Sequence, residues 1–268
     1  MIVLKIGGDI FSKGLNDNLS NDLKRVLENQ KLIVVHGGGD EVTSIAEKLG
    51  KPQTFVTSPG GIKSRYTDEE TAEIFTMVMA GKINKTIVRW LLNKGIKAVG
   101  VSGVDAETLR AERKKKLLII DERNRKRIIN GGYTGKISKV DVTLIMLLVE
   151  KGFVPVIAPI AVGENFEFLN VDADRAAGQI AGTIKADKIV FLTDVLGVEI
   201  EGKLVRTLTM KEAERLLPKI GSGMDKKVLA SIEALKSGVK EVIISSGLIA
   251  EPLTNALTQR NGTVITFE

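Results

Sequence analysis

The chain has 268 residues, 43% hydrophobic, 4% aromatic and 27% charged, and 39 Lys and Arg against 33 Asp and Glu give a formal charge of +6. That length and apolar content support a sizeable core and exclude disorder as the main state. With no cysteine and a single histidine, His36, the composition excludes disulfides, thiol catalysis and a thiolate or His-cluster metal site, and leaves a serine triad only if His36 is its base.

In chain order, short runs rich in Val and Ile alternate with longer amphipathic stretches, which predicts an α/β fold with helices on both faces of an open, largely parallel sheet. MIVLKI at 1–6 and KLIVVHG at 31–37 read as strands, followed by helices over 19–30 and 40–50. One long helix is predicted over 68–95, and KAVGVSG at 97–103 is the next strand. Within it, Phe75, Met77, Val78 and Met79, leading on to Trp90, read as core or as a dimer seam. Residues 113–129 interrupt the alternation: two apolar β-type runs flank the turn-like Asp121-Glu122-Arg123-Asn124, predicting a β-hairpin that stands off the main sheet. Further helices are predicted over 139–152, 172–186, 209–221 and 224–238, and strands over 154–160, 188–194, 241–247 and 263–267. All seven strands of the alternation read as buried and parallel. No apolar run approaches the ~18 residues of a membrane span, and the first residues are interrupted by Lys5, two glycines and Asp9, so a cytoplasmic protein without a membrane partner is expected.

The charge excess is local. Arg110 to Arg127 holds nine basic and three acidic residues, a surplus equal to that of the whole chain. The remainder is neutral, and what that one segment meets is the question the composition raises.

Glycine-rich strand ends mark the candidate chemistry. Lys5-Ile6-Gly7-Gly8 and His36-Gly37-Gly38-Gly39-Asp40 each open into a predicted helix, where backbone N–H groups approach an anion closely; tight strand-to-helix turns also use glycine for steric reasons alone. Neither is a P-loop or a dinucleotide-binding glycine fingerprint. Lys5 ends an otherwise apolar strand, so its ammonium emerges at the sheet's carboxyl edge, either as a ligand group or as a snorkelling lysine. Lys227 follows a further glycine turn, and two lysines aimed at one cleft suit phosphoryl transfer. Arg65 is placed to hold a carboxylate through a bidentate fork or to make a surface ion pair. Asn170 and Asp174 sit four apart at a helix start, where Asp174 either orients lysines or caps the helix.

Six ordered motifs resemble those of the amino acid kinase family, and within it the N-acetylglutamate kinase group: Lys5-x-Gly7-Gly8, His36-Gly37-Gly38-Gly39, Ser64-Arg65, Asn170-Val171-Asp172-Ala173-Asp174, Leu192 to Val198, and Gly223-Met224-x-x-Lys227. The resemblance covers essentially the whole chain. It implies an acceptor-binding lobe over 1–160 and a nucleotide-binding lobe over 161–268, with ATP as phosphoryl donor and Mg2+ bridging its phosphates. It further implies that Lys5 and Lys227 stabilise the phosphoryl group in flight while Asp174 holds both lysines. Gly38 and Gly39 would grip the acceptor's side-chain carboxylate, Arg65 its α-carboxylate and Asn170 its substituted amine. Thr193, Asp194 and Gly197 would belong to the nucleotide loop, with Gly223 and Met224 beside it. No protein metal motif is implied, because magnesium keeps several waters and takes few protein ligands. Since a carboxylate acceptor is already ionised at neutral pH, no general base is required.

Within the group, the segment Glu112 to Ile129 followed by Gly131-Gly132-Tyr133-Thr134-Gly135 resembles the kinases of lysine biosynthesis that phosphorylate α-aminoadipate joined through its amine to the C-terminal glutamate of the acidic carrier protein LysW, and in archaea often also carrier-linked glutamate. That likeness assigns Arg113, Lys114, Lys115, Arg123, Arg125, Lys126 and Arg127 to carrier docking, by steering and charge complementarity. Tyr133 would pack on the carrier's tail, or simply leave the hairpin in an ordinary turn. Two alternatives stand beside it: a conventional N-acetylglutamate kinase with a solvated hairpin, and a nucleic-acid-binding protein. The second is disfavoured by 4% aromatics and a single charged patch, so no nucleic-acid partner is expected. Relatives of this group are commonly dimers, which implies a homodimer.

Overall fold

The computed structural model describes residues 1–12 and 17–268. In chain order it contains β1 (Ile2–Ile6), α1 (Gly8–Ser12), α2 (Asp17–Leu27), β2 (Leu32–His36), α3 (Gly39–Lys48), β3 (Phe55–Thr57), β4 (Lys63–Arg65), α4 (Glu69–Thr76), a π-helical segment (Met77–Ile83), α5 (Asn84–Asn93) and β5 (Ala98–Ser102). Next come β6 (Leu109–Arg113), β7 (Lys116–Ile120), β8 (Lys126–Asn130), β9 (Gly135–Val140), α6 (Thr143–Glu150), β10 (Val154–Ala158), β11 (Ile160–Val162), β12 (Phe168–Asn170), α7 (Ala173–Thr183) and β13 (Lys188–Thr193). They are followed by β14 (Glu199–Ile200), β15 (Lys203–Leu204), β16 (Thr207–Thr209), α8 (Met210–Leu216), α9 (Met224–Lys236), β17 (Glu241–Ser246), α10 (Pro252–Leu257) and β18 (Thr263–Thr266).

The central sheet has eight strands in the order β16-β18-β17-β13-β1-β2-β10-β5. The chain leaves β1 for β2 on one side and later returns to β13 on the other, so the carboxyl end of β1 is a topological switch point, the usual ligand position of an open α/β sheet. The strands are apolar because both faces are covered: Ile2, Leu4 and Ile6 join one core, and Val3 joins another. The first core also holds α2, α3, α5 and α10 side chains, and the second holds those of α6, α7, α8 and α9. Each fully buried Ile or Leu here contributes about 1.5–3 kcal/mol.

Expectation and structure part at four places. The last strand, β18, runs antiparallel to β17, although parallel to β16. β16, α1 and α10 are short elements that the hydrophobic pattern does not announce. The basic segment does form a hairpin, β7–β8, but it does not stand alone: Ile120 pairs with Thr57, completing a four-stranded sheet β4-β3-β7-β8. Its first residues, Leu109–Arg113, belong instead to a separate sheet with β9, β11 and β12.

The fourth difference positions the site. The helix expected over 68–95 is broken into α4, the π segment and α5. The wide π turn re-phases the helix, as such segments commonly do near functional sites. It sets Ile83 and Met79 against Gly38, whose φ of 147° only glycine adopts readily, and a Cβ there would lie 2.2 Å from Ile83 Cδ1. The next residue, Asn84, is fully buried. Its Nδ2 donates to the carbonyls of Val156 (2.8 Å) and Val101 (3.2 Å) and lies 3.3 Å from His36 Nε2. His36 Nδ1 donates in turn to the Gly37 carbonyl at 3.0 Å. Phe75, Val78 and Met79 are core, whereas Met77 is 58% exposed and Trp90 packs at the core's edge. Among the described residues no helix is long and apolar enough to cross a membrane.

Burial lowers the His36 imidazole to about pKa 4, with Lys5 and Lys85 adding to the effect, so the ring is neutral at pH 7. The unfolded chain, with an ordinary histidine near 6.5, takes up a proton first as pH falls; the His36 contribution is therefore complete above about pH 6.5 and is lost toward pH 4. Because there is one histidine, its NMR signal needs no assignment: the ring proton shift is expected to stay flat from pH 8 to about 5, and a midpoint near 6.5 would show an accessible ring instead.

Candidate active site

Lys5 follows Leu4 on β1 and shares the face of Val3, Val35 and Phe191, which α7 and α9 cover. Its ammonium meets Asp174, in the first turn of α7, at 2.8 Å, and both side chains are only 7% exposed. Lys227, in the first turn of α9, reaches the other oxygen of Asp174 at 3.4 Å. α7 and α9 come this close because small residues face each other: a Cβ on Gly178 would lie 3.1 Å from the Ala230 carbonyl oxygen, and one on Gly182 would lie 2.5 Å from Ser237 Cβ. Burial would raise the Asp174 carboxyl, but Lys5 and Lys227 hold it below the usual carboxylate range. Its neighbour Asp172 caps α7, accepting from the N–H groups of Asp174 and Arg175, and is pushed up by burial and by Asp174.

The glycine loops close around this pair. A Cβ on Gly37 would sit 3.6 Å from Lys5 Nζ, and one on Gly8 would meet Gly38 at 3.1 Å, so the two strand ends touch beside Lys5. Gly38 is the N-cap of α3 and Gly39 its first residue, placing their N–H groups at the positive end of the helix. Arg65, on β4, is 8% exposed and locked to this loop: Nη2 donates to the Gly39 carbonyl at 2.7 Å and to Thr43 Oγ1 at 2.9 Å, and Nη1 donates to Gln53 Oε1. The guanidinium also stacks over Phe55, 5.0 Å from the ring centre. Asn170 ends β12; its Nδ2 donates to Thr67 Oγ1 at 3.0 Å, leaving Oδ1 to accept an N–H.

Thr193 and Asp194 lie at the carboxyl end of β13, beside β1, with a hydrogen bond from Thr193 Oγ1 to Asp194 at 3.3 Å. Gly197 is buried against Thr263 and Leu204, where a Cβ would approach within 2.6 Å, so packing alone requires it. Gly223, with φ of 90°, caps α9 and is followed by Met224. Thus Lys5, Gly38, Gly39, Arg65, Asn170, Asp174, Thr193, Asp194, Gly223, Met224 and Lys227 share the carboxyl edge of the sheet. Fully buried and hydrogen bonded on both nitrogens, His36 is not available as the base of a serine triad.

The basic residues divide. Arg123, Lys126 and Arg127 are exposed at and beyond the hairpin turn, and Arg125 folds back on Asp121 at 3.0 Å. At the root, Arg113 Nε donates to the Gly132 carbonyl at 2.6 Å and its guanidinium lies 3.8 Å from the centre of the Tyr133 ring. Lys115 accepts at its carbonyl from Gly131 N–H, and a Cβ on Gly131 would collide with the Lys114 carbonyl. Lys114 itself points into a cleft of about 370 Å³ that it shares with Arg65, Thr134, Asn170, Arg175 and Lys226. No sequence signal marks Arg175 or the partners Thr43, Gln53 and Thr67; Thr134 is visible only within the glycine-rich stretch at 131–135, and Lys226 only as the neighbour of Lys227.

Residues 1–246 match the model of the amino acid kinase family. A protein of Sulfurisphaera tokodaii named LysW-aminoadipate/LysW-glutamate kinase is 49% identical over 266 residues, covering 99% of this chain and all of its own. One of Nitrosopumilus maritimus, bearing the same name provisionally, is 53% identical over 268 residues and the full length of both. Among solved structures, the smu.665 protein of Streptococcus mutans superposes with a TM-score of 0.80 at 22% identity, over all of this chain and 98% of that one. The match over 246 residues and the identity over full length establish that the chain belongs to the amino acid kinase family.

Proposed function

We propose that the protein transfers the γ-phosphoryl group of ATP to the side-chain carboxylate of α-aminoadipate, and of glutamate, joined through its amine to the acidic carrier protein LysW, giving an acyl phosphate for lysine and arginine biosynthesis. The observation that carries the reading is the buried Asp174 holding Lys5 and Lys227 beside the Gly38 turn, in a chain about half identical to kinases of that name. On this reading residues 1–160 serve the acceptor and 161–268 the nucleotide.

The acceptor's attacking group is a carboxylate, ionised above about pH 4.3, so no proton has to be removed. What the reaction needs is stabilisation of charge that moves across the phosphoryl oxygens. Lys5 and Lys227 supply two positive charges in a site shielded from water, and Asp174 fixes their separation. The Gly38 and Gly39 N–H groups hold the attacking carboxylate, Arg65 the α-carboxylate, and Asn170 Oδ1 accepts from the amide N–H made by the carrier linkage. Thr193, Asp194, Gly197, Gly223 and Met224 border the nucleotide. Among the described residues no three His, Cys, Asp or Glu side chains converge on one point, a donor set that suits an ion held mainly by phosphate oxygens and water. When bound, magnesium supplies charge neutralisation on those phosphates.

The exposed Arg123, Lys126 and Arg127 give an acidic carrier a charged landing surface that the chemistry itself does not need. The same proposal includes a second copy of the chain, for which Met77 and Leu92, 58% and 52% exposed, provide apolar surface.

ATP consumption measured separately with N-acetylglutamate, carrier-linked aminoadipate and carrier-linked glutamate decides the acceptor: turnover of the carrier-linked forms is expected, and turnover of N-acetylglutamate alone would overturn the proposal. Lys5→Gln and Lys227→Gln are each expected to lower kcat by about 10²–10³, read in steady-state assays alongside thermal melts that verify folding. Since neither a base nor His36 titrates in the reaction, kcat is expected to be level between about pH 6 and 8; a bell-shaped profile centred there would argue for acid–base chemistry. Combining Arg123→Glu, Lys126→Glu and Arg127→Glu is expected to raise KM for the carrier-linked acceptor at least about tenfold at low salt, less at high salt, with KM for ATP unmoved.

A further inference from the structure

The cleft between the hairpin root and the first turns of α7 and α9 carries positive charge that the reaction as described leaves unused. Three chain segments run side by side across its floor. Lys114 N–H donates to the Thr134 carbonyl at 2.9 Å, and Thr134 bridges to Asn170, so Lys114, Thr134 and Asn170 form one row. Arg175 and Lys226 face this row from α7 and α9. Among the described residues the ammonium groups of Lys114 and Lys226 have no ion-pair or hydrogen-bond partner, and neither has that of Lys136 nearby. Thr134 Oγ1 and Arg175 Nε are buried and unpartnered. Burial and repulsion from Arg175, Lys136 and Lys226 lower the Lys114 ammonium against the opposing pull of Asp172, so the cluster is assembled against its own charge. The carboxylates present offset this only in part: Asp172 acts on Lys114 and Lys226 from the N-cap of α7, and Glu233 pairs with Arg175. Unsatisfied buried donors and a surplus of cations around a cleft are the complement of an anionic ligand.

We infer that Lys114, Thr134, Arg175 and Lys226 form an anion subsite that receives the spare carboxylate of the carrier's last residue. This rests on the carrier-linked acceptor proposed above. A C-terminal glutamate has two carboxyl groups; joining it to the acceptor's amine consumes one and leaves the other free, a few bonds beyond the amide N–H that Asn170 accepts. The row places Thr134 and then Lys114 next in that direction. An N-acetylated amino acid has a methyl group there and no charge, so the subsite distinguishes a carrier-borne acceptor from a free one by chemistry rather than by size. A site built to pair a charged group discriminates against the analogue that lacks it far more strongly than an apolar pocket does.

The test uses the intact carrier, its tail completed by ligation so that it bears aminoadipate and the spare carboxyl of the last residue is either free or a primary amide. With the wild-type enzyme, KM for the amide is expected to exceed that for the acid at least about tenfold. In Lys114→Gln and in Lys226→Gln the ratio of the two KM values is expected to fall below about threefold; because it is a ratio within one variant, loss of folded enzyme cancels. Equal KM values for acid and amide with the wild-type enzyme would overturn the subsite while leaving carrier-linked phosphorylation standing. Failure of both carrier forms alongside turnover of N-acetylglutamate would overturn the underlying function instead. A rise in KM for ATP in Lys114→Gln with the acid-to-amide ratio preserved would assign the cluster to the nucleotide phosphates and also overturn the proposal.

Discussion

Everything at the carboxyl edge of the sheet depends on one buried carboxylate. Two ammonium groups that approach the same point repel each other, and the repulsion is strong where water is excluded. Asp174 makes their approach possible by lying between them, and it remains ionised there because the lysines outweigh the burial that would protonate it. The arrangement is mutually dependent: removing one partner of a buried charge pair costs about 3–5 kcal/mol, since the rest is left uncompensated. The small residues between α7 and α9, the N-cap supplied by Asp172, and the face of β1 on which Lys5 falls all serve this one contact.

The glycine loops are organised from the other side of the sheet. Ile83 and Met79 occupy the space a side chain on Gly38 would need, and Asn84 ties the same helix to β2, β5 and β10 through backbone carbonyls and His36. A neutral imidazole is part of that arrangement: with Nδ1–H given to Gly37, only an unprotonated Nε2 accepts from Asn84. The Gly38 turn is therefore held by packing and by hydrogen bonds.

Much of this was legible in the sequence, for identifiable reasons. Lys5 stood out because it is the one charge in a fully buried strand, and the strands themselves because burial on both faces leaves them mostly apolar. Two apolar runs about the turn-like cluster at 121–124 marked the β7–β8 hairpin, but not its pairing to β3, a three-residue strand too short to leave a pattern. The π segment was invisible because Met77 to Ile83 continues the apolar spacing of an ordinary helix. Arg113 to Lys116 read as one undifferentiated basic run. In the structure Arg113 stacks on Tyr133, Lys114 turns into the cleft, and Lys115 and Lys116 remain exposed, a distinction set by strand direction and by the close passage of Gly131 rather than by residue type.

The three residues of the charge cluster come from distant parts of the chain: Lys5 from its first strand, Asp174 from past its middle, and Lys227 from near its end. Neither core can be completed by the first half alone, and the fragment that ends before α9 would hold Asp174 with a single lysine. On the ribosome the Lys5–Asp174–Lys227 cluster therefore comes into being only when α9 has emerged and docked on α7, the last long-range closure the cluster requires. Until then the sheet also lacks β17 and β18, which follow α9 in the chain. The cluster is thus a report on completed topology.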